Sequence, residues 1–372
     1  MQLRPSIFLI LAFTVLSAAS NSNKIKMPVT PNNVVPDIGI PGFLYPEELK
    51  RILLDRKAVR FTIGKSKLGR AIDAFFFPGT SDKRALVIGG MHGSELSSIE
   101  IAYELLDQLK KNDSIYYNVI IIPSLFPDNA EQAKQNSLLI GSVDNIGRYS
   151  YPGAVDPNRQ MPTPGKPFDE DDSLDHVGRK TENENAILLE LIDQYRPQRI
   201  VNLHAIRTTE NAGVYADPRT DQNGIALGYT SDSSLAIGMA KHIYENGGHV
   251  PGNRINSKPT ALYYKDPVPV AKGLFQKRNF SGSPMPGHKG GGVSMGTWAS
   301  TAVMDENNPS KNREAIRLIT MEFPGSKRPV DYLQPKQQQF CQQQLERYAT
   351  ALKTIFLGEY FVEDSSSTMA RR

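Results

Sequence analysis

Residues 85–106 read ALVIGGMHGSELSSIEIAYELL, and this stretch decides the fold. The apolar run from Ala85 to Gly89 has the length of a strand buried on both faces, and the pair Gly89–Gly90 ends it. From Leu96 onward the apolar residues fall at Leu96, Ile99, Ala102, Leu105 and Leu109, the spacing of one helix face. A buried strand that turns directly into a helix belongs to an α/β sheet, and such sheets take their ligands beyond the carboxyl ends of the strands. The turn here carries His92 and Glu95. On such a turn an imidazole and a carboxylate can converge on one ion.

The flanking sequence extends the same alternation. Val59–Ile63, Arg70–Phe77, Asn118–Pro123, Arg199–Leu203 and the end of Arg313–Phe323 read as strands. Helical spacing covers Tyr45–Lys57, Leu96–Lys110, Thr181–Tyr195, Ser233–Asn246 and Gln334–Leu357. Thr181 with Glu184 has the form of a capping box. In the last helix Phe340, Leu345, Tyr348, Leu352 and Phe356 form the expected buried face. Residues 127–180, 205–232 and 247–297 are rich in turn formers and read as loops. A loop region as long as 127–180 inside a compact domain is usually functional or mobile. The expectation is an α/β domain over 45–360, with a mixed twisted sheet and helices on both faces.

Composition narrows the class of partner. The chain has 372 residues, with 43 basic against 39 acidic side chains and a net charge of +4. That bias is too slight to argue for nucleic acid or an anionic membrane surface. A single cysteine, Cys341, excludes an internal disulfide. At the amino end Arg4 precedes the apolar stretch Ile7–Leu16 and the small residues Ser17 to Ser20. These are the parts of a secretory signal peptide over 1–20, with cleavage after Ala19 or Ser20, and the stretch is too short to span a bilayer. An extended leader over 21–44 and a disordered tail over 361–372 complete the expected organisation. The mature chain is thus expected to be exported without a transmembrane segment, and its poverty in cysteine points to the periplasm.

His204 stands at the carboxyl end of a buried strand and supplies a third candidate ligand. Three protein N/O ligands are the usual set of a catalytic zinc, with the fourth position left for water. Alone, a histidine in a polar loop and a glutamate at a helix start explain the HxxE pair equally well. More weight comes from AVDPNRQMP, where Asn158 and Arg159 could grip a carboxylate through a bidentate guanidinium and an amide. Asp-Pro-Asn is also turn-forming in its own right. Glu322 lies inside the apolar strand LITMEFP, where a carboxylate must either pair with a cation or move protons.

GGMHGSE, FPDNA, DPNR, LHA and SMGTW followed by TMEFP occur in an order and spacing that resemble the M14 zinc carboxypeptidase family. The upstream FTIGKSKLGRAIDAF is similar to that family's opening hairpin, so the likeness covers roughly residues 58–325. The resemblance implies one zinc ion held by His92, Glu95 and His204. It implies a substrate carboxylate held by Asn158 and Arg159, and Glu322 as the catalytic acid and base. It also implies an arginine at the oxyanion, for which Arg148 is the best-placed candidate. The chain departs from the family at Phe126, where an asparagine is usual. It has no tyrosine between Tyr264 and Glu322, where digestive members carry a mobile one. The Ser-x-Gly-x-Trp segment at Ser294–Trp298 looks instead like the bacterial murein peptide amidase branch, whose members cut γ-D-glutamyl–diaminopimelate bonds.

The resemblance therefore implies a metallocarboxypeptidase whose peptide substrate is a cell-wall muropeptide. Two other readings stay open at this point. One is an N-acyl amino acid deacylase of the aspartoacylase or succinylglutamate desuccinylase kind, which shares the HxxE and histidine set. The other is a catalytically dead muropeptide-binding module. His176, His242, His249 and His288 read as surface residues, and Trp298 as core.

Overall fold

The computed structural model describes residues 59–359 apart from 112–113, 141–145, 152–153, 170–172, 228–229, 254 and 256–290. The signal segment, the leader, the helix expected over Tyr45–Lys57, His288, the tail and most of 247–297 lie outside the described residues.

Among the described residues there are seven strands: β1 Val59–Lys65, β2 Ala71–Phe77, β3 Arg84–Ile88, β4 Asn118–Ile122, β5 Arg199–Ile206, β6 Gly213–Asp217 and β7 Arg317–Pro324. They form one sheet in the order β1-β2-β4-β3-β5-β7-β6. The four central strands run parallel. β2 lies antiparallel to β4, and the hairpin partner β1 and the strand β6 close the two edges, also antiparallel. This division follows from composition. β4 is buried at every position and β5 at all but its last, the condition of a strand covered on both faces. β1 is exposed or half-buried at every position except Ile63, as an edge strand is.

The helices are α1 Leu96–Leu109, α2 Pro127–Gln135, α3 Asn183–Tyr195, α4 Thr230–Glu245, α5 Met295–Ala299 and α6 Pro335–Ala351, the last continuing as a π-helical turn over Leu352–Phe356. α1 and α4 bury their apolar faces against Val87, Val201, Leu203, Ile319 and Met321, and α6 packs across α1 and α4 and reaches the sheet through Tyr348, whose ring centroid lies 5.0 Å from that of Phe323. α3 and the Trp298 region cover the opposite face over Leu86, Ile88, Ile200 and Leu318. Helices thus lie on both faces of a mixed sheet, as the strand and helix spacing predicts. Each fully buried Leu, Ile or Phe contributes roughly 1.5–3 kcal/mol, so these two layers hold the sheet more firmly than surface ion pairs do.

β3 pairs with β4 on one side and β5 on the other, so the order of winding reverses between β3 and β5. Such a reversal leaves a crevice beyond the strand ends, because the connections depart to opposite sides. His92 and Glu95 follow β3, and His204 lies near the end of β5.

Four expectations need correction. Residues 205–232 contain β6, a five-residue edge strand. Residues 127–180 begin with α2, whose Pro127 occupies the first turn, where a missing N–H costs nothing. The capping box at Thr181 does not form: α3 starts at Asn183 behind Glu182, and the Glu184 carboxylate instead accepts the Lys67 N–H at 2.9 Å. The tie to the β1–β2 turn outcompetes the local bond. Finally, Phe340 is 47% exposed, while Cys341 takes the buried place on α6. Trp298 is core, 2% exposed, with the Arg313 guanidinium 4.6 Å from its ring centroid.

Candidate active site

The turn after β3 is built to present side chains. Gly89 N–H continues the ladder by donating to Ile122 O at 2.8 Å, and Gly90 then reverses the chain at a φ of 65° that other residues rarely adopt. Glu95 N–H donates to His92 O at 3.0 Å, closing the turn that sets the two side chains side by side. Ser94 N–H donates to Gly147 O at 3.0 Å, which fastens the loop carrying Arg148 against the same turn.

His92, Glu95 and His204 converge and are all buried. His92 Nδ1 lies 3.0 Å from Glu95 Oε1, and His204 Nδ1 lies 2.9 Å from Glu95 Oε2. One ligand atom from each residue falls within 4.8 Å of the others. Glu95 Oε2 also accepts the Ala205 N–H at 3.0 Å. Asp156, on the turn before Asn158, approaches the far side of His92, with Oδ1 2.8 Å from Nε2.

His92 therefore has a carboxylate oxygen at each ring nitrogen. A neutral imidazole carries one N–H, so one of the two contacts would oppose two lone pairs unless a second proton or a metal ion lies on that nitrogen. With Nε2–H donated to Asp156, the open lone pair is Nδ1, the one that faces Glu95 and His204. Donor atoms about a zinc ion at its usual N/O distances stand roughly 3.4 Å apart, and with two contacts at 2.9 and 3.0 Å and every separation within 4.8 Å the set fits zinc after small adjustments. The electrostatics agree. Burial disfavours the imidazolium of His92, but the Glu95 charge and the hydrogen bonds to Asp156 and Glu95 outweigh it and leave the pKa raised. Burial likewise opposes the Glu95 charge, and the two histidines overcome it to hold the carboxyl well below its ordinary range. Asp156 is also lowered against its own burial, first by its bond to His92.

Each residue singled out in the sequence lines one cavity of about 700 Å³, namely His92, Glu95, Arg148, Asn158, Arg159, His204 and Glu322. Arg148 donates from Nη1 to Glu95 Oε1 at 2.8 Å and from Nη2 to Asp156 Oδ2 at 3.2 Å. Asn158 Oδ1 accepts the Met295 N–H at 2.9 Å, which commits the oxygen and leaves the amide N–H₂ to donate. Its Nδ2 stands 3.4 Å from His204 Nε2. Arg159 donates from Nη1 to Asn158 O at 2.6 Å. Glu322 is the register partner of His204 across β5 and β7, so the parallel pairing sets the two side chains on one face. Tyr215 on β6 stands nearby, its phenol pushed up to about 12 by burial and then by the Glu322 charge.

Several participants escaped the sequence. Asp156 stands inside DPNR, where its turn-forming character hid the bond to His92. Arg179 donates from Nη2 to Arg159 O at 3.1 Å and to Gly291 O at 2.8 Å, while Asp175 Oδ2 accepts its Nε at 2.6 Å. No motif marks that clamp. Phe126 is buried at the start of α2, its N–H donated to Gly90 O at 3.1 Å.

The fold and the site define an α/β domain with a buried His-Glu-His centre able to hold a metal ion at its switch point. Residues 56–225 match the family model for zinc carboxypeptidase, peptidase M14, over a little under half of the chain. The match includes His92, Glu95 and His204 and ends before Glu322, which the β5–β7 pairing brings beside His204. Among solved structures the chain is similar to carboxypeptidase A from Helicoverpa armigera, at 14% identity over 83% of this chain and 73% of that one, with a TM-score of 0.45. It is also similar to bovine thrombin-activatable fibrinolysis inhibitor, solved with tick carboxypeptidase inhibitor, at 10% identity, 82% and 92% coverage and a TM-score of 0.45. A third is murein-tripeptide amidase MpaA from Escherichia coli O157, at 16% identity, 79% and 91% coverage and a TM-score of 0.40. No protein of curated function matches the sequence. The family is one of zinc-dependent peptidases acting on peptide substrates. Among the described residues no helix is long and apolar enough to cross a membrane.

Proposed function

We propose that the chain is a zinc-dependent carboxypeptidase that hydrolyses the amide bond preceding a residue with a free carboxylate. We further propose that its substrates are peptidoglycan stem peptides, met after export to the periplasm. The observation that carries the hydrolase reading is the convergence of His92, Glu95 and His204, with Glu322 as the strand neighbour of His204. The wall-peptide assignment rests on the Ser294–Trp298 segment and on the signal-like amino end.

His92, Glu95 and His204 would hold the zinc ion, which when bound would supply a Lewis acid for the scissile carbonyl and a water of lowered pKa, towards ~7. Everything else falls to the chain's own groups. Arg159 receives the substrate carboxylate through its guanidinium, and the Asn158 amide adds a donor whose direction is set by the Met295 bond. Glu322 takes a proton from the attacking water and returns it to the leaving nitrogen. Arg148, already anchored on Glu95 and Asp156, adds positive charge where the carbonyl oxygen becomes an oxyanion.

Purified zinc-loaded protein incubated with defined muropeptides and with ordinary L-peptides, followed by mass analysis of products, tests both parts. Release of the carboxyl-terminal residue from muropeptides is expected. Cleavage of L-peptides alone would overturn the wall assignment, and release of acyl groups from N-acyl amino acids alone would replace the carboxypeptidase by a deacylase.

A further inference from the structure

The cavity has two ends, and His92, Glu95 and His204 lie between them. At one end stand Asn158 and Arg159, beside Met161 and Met295, which are buried in the layer that α3 covers. At the other end the backbone beyond β5 and β7 is tied to the start of α1, which covers the opposite face of the sheet. Ser97, in the first turn of α1, donates its N–H to Ser326 O at 3.1 Å and its hydroxyl to Gly325 O at 2.7 Å. Gly325 N–H donates in turn to Ile206 O at 3.0 Å. Arg207 follows that carbonyl directly, and it lines the cavity together with Ser326. His204 spans the two ends: its Nε2 stands 3.4 Å from Asn158 Nδ2, and its Nδ1 faces Glu95 in the turn that enters α1.

Among the described residues three arginines line the cavity, and they are engaged differently. Arg148 is anchored on Glu95 and Asp156, and Arg159 donates to Asn158 O. Arg207 is exposed and makes no hydrogen bond or ion pair among the described residues. Its backbone is fixed all the same. The Gly325 bond holds it on one side, and on the other the 3₁₀ turn Thr209–Asn211 is closed by the Asn211 N–H donating to Thr208 O at 2.9 Å. A guanidinium stays charged at every physiological pH and presents a fork of donors that matches a carboxylate. On a held backbone such a group can take a ligand without breaking an internal ion pair, and only one side chain has to be ordered.

A substrate whose terminal carboxylate rests on Asn158 and Arg159 places its scissile carbonyl by the metal site. The acyl residue that owns this carbonyl then leads away from Arg159, towards the end of the cavity where Arg207 stands. We propose that Arg207 is a specificity-determining residue, receiving a second carboxylate carried by the residue on the amino side of the scissile bond. The assignment rests on the carboxypeptidase reading of Asn158 and Arg159. Glutamate supplies such a carboxylate in either linkage. Joined through its side chain it leaves the α-carboxylate free, and joined through its α-carboxyl it leaves the side chain free.

The test separates binding from turnover. Two γ-D-glutamyl–diaminopimelate ligands are made with the scissile amide replaced by CH₂–NH, one with its glutamyl α-carboxylate free and the other with that group as a carboxamide. Calorimetric titration of the zinc-loaded protein should show the free acid binding about fivefold more tightly, the upper share of an exposed ion pair. The preference should shrink towards unity in about 1 M salt, where screening acts within ~3 Å. Arg207→Gln should erase it with zinc content and melting temperature in place. Equal affinities in the unaltered protein, or a preference that outlasts Arg207→Gln, would overturn the assignment. A parallel cleavage panel uses the γ-linked peptide, its carboxamide and the α-linked glutamyl peptide. Faster cleavage of the γ-linked peptide than of the α-linked one would identify the α-carboxylate as the group received, and the reverse would identify the side-chain carboxylate. Cleavage of all three at one kcat/KM would remove Arg207 and leave the hydrolase reading in place. A binding preference with no peptide cleaved would sink the hydrolase reading and leave Arg207 standing.

Discussion

Asp156 Oδ1 lies 2.8 Å from His92 Nε2, on the side of the ring turned away from Glu95. The bond commits Nε2 as the protonated nitrogen and so leaves Nδ1 as the lone pair that faces the metal site. Asp156 is itself held by the Asn158 N–H at 2.8 Å and by Arg148 at 3.2 Å. An imidazole aimed in this way loses less rotational freedom when it takes a metal. Replacing Asp156 with alanine should therefore weaken zinc binding about 10–100-fold. Competition with a chromophoric chelator measures this. An unchanged zinc affinity would show that the β3 turn alone orients His92.

The same arrangement sets the sign of a pH effect. The folded metal-free protein raises the His92 pKa above its ordinary value, because Glu95 and Asp156 together outweigh burial. The stability this contributes to the metal-free protein is complete below about pH 6.5, the unfolded value, and fades as pH rises through the higher folded one. Zinc requires the deprotonated ring, so its uptake near neutral pH should release protons and its apparent affinity should climb with pH. Calorimetry in buffers of different ionisation enthalpy counts those protons. A binding heat independent of buffer would contradict the charge state assigned to His92.

Glu322 faces the cavity from β7 beside His204, without belonging to the convergent metal-site set. Glu322→Gln keeps the shape and removes the base, so zinc content should stay at that of the unaltered protein while kcat falls about 10²–10⁴-fold. Loss of zinc along with activity would recast Glu322 as a ligand or a support for one. Unchanged turnover would remove it from proton transfer altogether.

How much of this was legible follows from where each residue sits. β3, β4 and β5 are buried on both faces, so their apolar runs stand out in the sequence. The residues at the carboxyl ends of β3 and β5 inherit that clarity, which is why His92, Glu95 and His204 could be found. β6 was hidden because GVYAD is a short edge strand with a half-exposed side. α2 was hidden because PDNAEQAKQ buries only Asp128, Asn129, Ala130 and Ala133 and shows almost no apolar stripe. Asp156 and Arg179 were illegible for a different reason. Each acts through a partner distant in sequence, and no local spacing records such a bond.

Arg179 offers the clearest case of such an action at a distance. Its Nη2 donates to the carbonyl oxygens of Arg159 and Gly291, and its Nε is held by Asp175, whose side chain is fully buried. The guanidinium thus joins the turn that carries Arg159 to the strand-like segment leading into Ser294 and Met295. Val293 bridges that same turn at Gln160 and Met161. A Cβ on Gly292 would come within 2.1 Å of Arg159 O, so the two backbones approach as closely as glycine permits. Methionine at position 179 fills much of the volume but donates nothing. Arg179→Met should let the Arg159 turn drift, raising KM for peptides with a free carboxylate severalfold or more while kcat and zinc affinity change little. Lysine, which can satisfy one carbonyl but not the fork, should restore only part of the loss. Steady-state kinetics on a carboxylate-ended peptide and its carboxamide counterpart provide the check, because the carboxamide forgoes the grip that Arg179 supports. A fall in kcat of the same size for both peptides would make Arg179 a prop for the whole site and not for the carboxylate anchor.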